Sequence, residues 1–294
     1  RAASPVSPVR PHSSLIRLTM NTAQTIESPN SIMNSLSGAH PPPHLPAFFS
    51  EGGALRAKAL QGYLLSLREV YVRYAPLPPV RLFVLSEKDW RARLPYPYGL
   101  PFQHAGPEGL SVYAPLTYPE RLLHRLREVL LPLGPPPGEI PAFLDLNLGH
   151  EYAHAVQVAW RLRTGARWLD EFVANYLFLL GLRRARPDLA EGLLAWSEHL
   201  ARLAPEKRRL SDYERRRGGL EGALWFQARF TLMAQALWEK DGDGLLLALL
   251  EAAPLDRKRG HRLLVERYPE LREWFRGFGL KAAPGGASSP RQAP

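Results

Sequence analysis

Residues 141–165, PAFLDLNLGHEYAHAVQVAWRLRTG, decide how this chain is read. Apolar periodicity predicts a helix from Pro141 to Arg163, with Thr164-Gly165 as its stop. Phe143, Leu144, Leu146, Leu148, Tyr152, Val156, Val158, Ala159, Trp160 and Leu162 nearly surround it. Asn147, His150, Glu151, His154, Gln157 and Arg161 fall on one stripe. A helix of that kind is buried on most sides and opens a single polar strip to a cleft.

The spacing within the stripe has chemical meaning. Helix residues four apart lie one turn above each other on the same face, so His150 and His154 project together and can share one tetrahedral metal. Glu151 is displaced by one residue step. It can take a proton from a water at the metal without being a ligand itself. The competing reading is a solvated face with two incidental histidines, and the apolar surround disfavours it. No cysteine is present, so a metal must sit on His, Asp or Glu. A third ligand is expected nearby. The next apolar helix, around Trp168 to Tyr176, carries two acids, Asp170 and Glu171.

His-Glu-x-x-His followed about a score of residues later by a Glu-x-x-Ala helix resembles the gluzincin superfamily of zinc metallopeptidases, which includes thermolysin and the aminopeptidases with a helical catalytic domain. The resemblance spans His150 to Tyr176. It implies zinc held by His150, His154 and Glu171, with Glu151 as general base. Asn175 falls where thermolysin-like members keep an acid that orients a zinc-bound histidine. Asn can accept from an imidazole N–H but carries no charge. Gluzincins also use a later Tyr or His to stabilise the oxyanion. Candidates are Tyr213, His199, His261 and Tyr268, of which Tyr213, ahead of a loop of arginines, is preferred. An edge strand near the metal that pairs with extended substrate is a further family feature, and Leu110 to Ala114 is the candidate. Helix geometry separates the two acids. Glu171 shares a mostly apolar face with Ala174, Asn175, Phe178 and Leu182, where an unpaired carboxylate is costly unless a cation meets it. Asp170 lies near the first turn and reads as a helix-end cap worth about 1 kcal/mol.

Outward from this centre, Ala54 to Tyr74 reads as an amphipathic helix and Val80 to Leu85 as a strand. Residues 91–109 read as a long loop and Pro119 to Leu131 as a helix. Further helices are expected at Leu189 to Leu203, Leu220 to Lys240, Gly244 to Ala252 and Arg259 to Arg276. Strands early and helices late predict an α+β fold, with a small N-terminal sheet region, a mostly helical C-terminal part and the zinc site on two central helices.

Three of the four Ile (Ile16, Ile26, Ile32) lie in the first 46 residues, a Ser/Asn/Pro-rich stretch without apolar period. Residues 1–46 are expected to be a disordered extension, with Met20 a candidate start. Residues 281–294 are expected to be a disordered tail, and 47–280 one gluzincin-like catalytic domain. No signal peptide or membrane span is evident, which with the missing cysteines points to a cytoplasmic protein. The formal charge of +10 is spread as Arg among Glu on helix faces, so a nucleic-acid partner is not expected. The expected function is zinc-dependent hydrolysis of peptide or protein substrates. The alternative is a non-catalytic binding or scaffold protein on the same fold, which would not need Glu151.

Overall fold

A computed structural model describes Ser37, Gly38 and residues 44–278. The fold is α+β. Strands β1 (Ser37–Gly38), β2 (Ala47–Phe49), β3 (Val80–Leu85), β4 (Phe102–Gly106) and β5 (Gly109–Pro115) form one mixed sheet in the order β1-β2-β3-β5-β4. β2, β3 and β5 run parallel, while β1 and β4 pair antiparallel to their neighbours. Helix α1 (Ala54–Tyr71) crosses from β2 to β3, as a parallel pair requires.

The two-residue period of the strands sorts their side chains. Leu82, Val84, Val112 and Ala114 join the main core with the helices. Phe83, Leu85, Phe102 and Tyr113 point to the other face, beneath Trp90 of α2 (Glu87–Arg93). There Phe48, Phe83, Tyr113 and Phe102 stack across four strands, with centroid separations of 5.1, 4.9 and 4.8 Å.

The rest is helical: α3 (Glu120–Leu130), α4 (Ile140–Leu146), α5 (Leu148–Ala159), α6 (Arg167–Ala185), α7 (Pro187–Leu200), α8 (Leu210–Glu214), α9 (Gly219–Asp241), α10 (Gly244–Ala252), α11 (Arg257–Arg267) and α12 (Glu270–Gly277). Helix α6 is central and packs against α1, α5, α7 and α9. Its residues Phe172 to Leu182 are all buried, as a helix apolar on two faces should be. No helix among the described residues is long and apolar enough to cross a membrane.

Five expectations need correction. The helix expected over 141–163 is two, joined at Asn147, and it ends at Ala159. Arg161 takes the left-handed conformation (φ 58°) and the Leu162 N–H returns to the Gln157 carbonyl (2.8 Å), so the chain turns before Gly165 is reached. The expected loop 91–109 contains β4, and α2 precedes it. Leu110 to Ala114 is therefore not an edge: β5 lies between β3 and β4, and β4 is the edge. The helix expected over 259–276 is interrupted at Tyr268–Pro269. The folded unit also starts earlier than residue 47. Leu45 is fully buried, its carbonyl accepts from Gln61 Nε2 (2.7 Å), and His44 and Pro46 carbonyls accept from Val80 and Leu82 N–H groups. The remainder of the expected extension, apart from Ser37 and Gly38, lies outside the described residues, as does the expected tail.

Candidate metal centre

Helix α5 restarts at Leu148, so His150 and Glu151 stand in its first turn. Gly149 lets this turn approach its neighbours closely. A Cβ there would lie 2.2 Å from Tyr63 Oη and 2.5 Å from Phe178 of α6. That approach brings two polar stripes together. His150 Nε2 lies 3.2 Å and His154 Nε2 3.4 Å from Glu171 Oε2. The imidazoles are nearly perpendicular (84°) with centroids 4.7 Å apart. The three residues offer ligand atoms all within 4.8 Å of one another.

These separations test whether a metal fits. Zinc with N and O ligands at about 2.0–2.1 Å in a tetrahedron puts its ligand atoms about 3.3–3.4 Å apart. Both nitrogen–oxygen separations agree. Two imidazoles and one carboxylate are also a donor set suited to zinc, with a position left over. Both histidines are 6% exposed and the Glu171 side chain 17%, so a cation here would be largely shielded from bulk water.

Outer contacts hold the donors in place. His154 Nδ1 is 2.8 Å from Gln157 Oε1, and Gln157 Nε2 donates to the Asp170 carbonyl (2.9 Å). With its amide so oriented, Gln157 accepts at Oε1. The proton is thereby assigned to Nδ1 and the lone pair to Nε2, facing Glu171. Gln227 of α9 plays the matching part for the carboxylate. Its Nε2 donates to Glu171 Oε2 (2.6 Å), and its Oε1 accepts from Asn175 Nδ2 (2.6 Å). Asn175 Oδ1 in turn accepts from Thr231 Oγ1 (2.9 Å). Asn175 thus makes no imidazole contact. The orienting acceptor on His154 is Gln157, and Asn175 supports Gln227 instead.

The electrostatics follow from burial. Burial alone would raise the Glu171 carboxyl, but His154 and His150 hold it well below its ordinary value. Glu151 is outside the ligand group. Burial lifts its carboxyl to about 7, opposed by His150 and reinforced by Glu171. Its Oε2 accepts from the Gln103 N–H of β4 (2.9 Å), which fixes the carboxylate against the sheet edge.

Tyr213, on α8, is buried, and its hydroxyl lies 3.1 Å from Gln227 Nε2, the group that also meets Glu171. Burial first, and the charge of Glu171 second, push this phenol well above its ordinary value, so it stays a hydrogen-bond donor. The other oxyanion candidates lie elsewhere. His199 meets Trp196 edge-on and contacts Arg202, His261 packs on Trp168 and Phe275, and Tyr268 donates to Asp241. Asp170 is 4% exposed. It accepts from Thr164 N (2.6 Å), Thr164 Oγ1 (2.8 Å) and Arg163 Nε (3.1 Å). It braces the turn before α6 and does not join the cluster.

Gln103 and Gln227 had no place in the sequence reading. Gln227 left a signal: with Thr231 it forms a polar pair four apart in the largely buried α9, the pattern that singled out His150 and His154. Gln103 left none, because its role depends on which strand lies at the edge. No family model, curated protein or solved structure matches the chain.

Proposed function

We propose that this chain is a zinc-dependent peptidase of the gluzincin kind. The observation that carries this reading is the convergence of His150, His154 and Glu171 with Glu151 held beside them but apart from the ligand group. A site that only stores a metal has no use for the fourth residue. Zinc, when bound, supplies Lewis-acid polarisation of the scissile carbonyl and lowers the pKa of water in its open position.

The chain's own residues do the remainder. Glu151 takes a proton from the attacking water and later delivers it to the departing amine, so its carboxylate returns to its starting state. The Gln103 N–H keeps one carboxylate oxygen fixed during that shuttle. β4 presents its outer edge beside Glu151, and an extended peptide can pair with such an edge through main-chain hydrogen bonds. The Tyr213 phenol donates to the oxyanion that forms on the carbonyl oxygen.

The test combines metal analysis with digestion of a broad peptide library. The expected result is about one zinc per chain and measurable cleavage. Glu151→Gln keeps the zinc and loses about 100-fold or more in turnover, since the amide cannot take the proton. Full turnover in that variant would remove Glu151 as the base. Stoichiometric zinc without any cleavage would favour the binding-module alternative.

A further inference from the structure

Away from the metal centre, the end of α7, the loop after it, α9 and α12 enclose a second space. It is a cavity of about 410 Å³, walled chiefly by Leu203, Arg208, Trp225, Arg229, Trp274 and Phe278. Small-molecule sites have volumes of about 300–1,000 Å³, whereas protein interiors otherwise leave few voids larger than a water. Trp225 and Arg229 are one turn apart on α9, so they share a face. Gln227, which holds Glu171, lies two residues from each and points about 200° away around the helix. The cavity therefore lies on the opposite side of α9 from the metal centre.

Its walls are of two kinds. The Phe278 ring meets both indoles edge-on, Trp274 at 4.7 Å and Trp225 at 5.5 Å between centroids, and Leu203 adds to this apolar side. Arg208 and Arg229 bring the charge. Arg208 Nε donates to the Pro205 carbonyl (2.5 Å), which pins the guanidinium and leaves both Nη groups unused among the described residues. Arg229 makes no hydrogen bond or ion pair among the described residues. No acidic side chain lines the cavity. Guanidiniums offer paired N–H groups that match a carboxylate or phosphate in shape, and aromatic walls take a flat apolar body.

We propose that this cavity is a second binding site, for a small aromatic anion. The flat body packs against Trp225, Trp274 and Phe278, and a carboxylate or phosphate head meets Arg208 and Arg229. Arg229 and Gly277, both exposed, give the ligand a way in from solvent. The site is separate from the metal centre and does not rest on the peptidase reading.

The test is calorimetry on the full chain with 1-naphthylacetate, its uncharged amide and 1-naphthyl phosphate, each with and without a chelator. The anions are expected to bind about tenfold tighter than the amide, the effect of one charge-assisted contact. That difference should shrink with added salt. The tighter of the two anions identifies the head group as carboxylate or phosphate. Arg208→Gln and Arg229→Gln should each bring the anions close to the amide while the melting temperature holds. Ala201→Phe, which puts a ring into the cavity, should remove binding of all three. No binding at about 1 mM ligand, no preference for the anions, or a preference that survives in either folded arginine variant overturns the site. Unchanged binding in folded Ala201→Phe does the same. So does binding that the chelator abolishes, which places the ligand on the metal. Binding that appears only when residues 279–294 are removed gives the cavity to the chain's own C-terminal segment and overturns the proposal as well.

Discussion

The outer face of the sheet and the α5–α6 interface are both buried, and they are built from opposite materials. The outer face is a row of rings, Phe48, Phe83, Tyr113 and Phe102, closed by Trp90. The α5–α6 interface sets His150, His154, Gln157, Glu171 and Asn175 among apolar neighbours. Burying rings stabilises a fold, whereas burying polar groups costs stability unless each finds a partner. At α5–α6 nearly every polar atom does find one, through Gln227, Thr231 and the Asp170 carbonyl. On the proposed reading, the interface, with its network of partners around His150, His154 and Glu171, is the working part and the ring layer is scaffold.

Mutation should separate the two regions. His150→Ala with His154→Ala is expected to take zinc from about one per chain to none, because one carboxylate cannot hold the ion. Trp90, fully buried, is the counterpart in the scaffold. Trp90→Ala should cost about 3–5 kcal/mol of unfolding free energy and leave zinc content untouched in the folded protein. Metal analysis and urea unfolding of both variants decide. If folded Trp90→Ala protein sheds its zinc, the two regions are one cooperative unit and the division fails.

Asp170 and Glu171 draw the same contrast within one helical turn. Glu171→Ala should lower zinc affinity severely. Asp170→Ala should keep the metal, since the Asp170 group that holds Gln157 is its backbone carbonyl, which alanine retains. Its cost falls on stability. The change leaves the Thr164 N–H buried without its acceptor and removes one partner of Arg163, for about 2–4 kcal/mol. This exceeds the cost of losing a simple helix cap, which is all that its place in the sequence implies. Chelator competition and thermal unfolding of the two single variants separate the roles; metal loss in Asp170→Ala with retention in Glu171→Ala would reverse them.

The sequence made the α+β order visible because the long helices and β3 carry strong apolar periods. It also made visible the stripe of His150, Glu151 and His154 and the doubly apolar character of α6. What it hid has physical causes. The end of α5 depends on Arg161 entering a left-handed conformation that non-glycine residues seldom adopt. β4 is five residues long, FQHAG, and lacks the β-branched side chains that advertise a strand. Leu45 joins the core from a Pro-rich stretch that offers no period to read. The amide partners of the donors sit near them only after folding: Gln227 is 56 residues from Glu171 along the chain. Local pattern reports which face a residue is on, and only tertiary packing reports what it meets there.

Gln157 supplies the smallest and sharpest test of the contrast. It is fully buried, and both ends of its amide are engaged, Oε1 by His154 Nδ1 and Nε2 by the Asp170 carbonyl. Leucine has nearly the same volume, so Gln157→Leu changes polarity with little change in packing. If Gln157 were scaffold, the swap of a buried amide for an apolar group would cost stability alone and leave the metal indifferent. If it orients the imidazole, His154 loses the contact that sets its tautomer and ring angle. Zinc affinity should then fall about 10–100-fold, the range for an outer partner of a ligating histidine. Unfolding in the presence of chelator should show a separate loss of about 1–3 kcal/mol from the Asp170 carbonyl left unmet. The two readouts are independent. Unchanged zinc affinity alongside that stability loss would place Gln157 with the scaffold and leave the His154 ring held by packing alone.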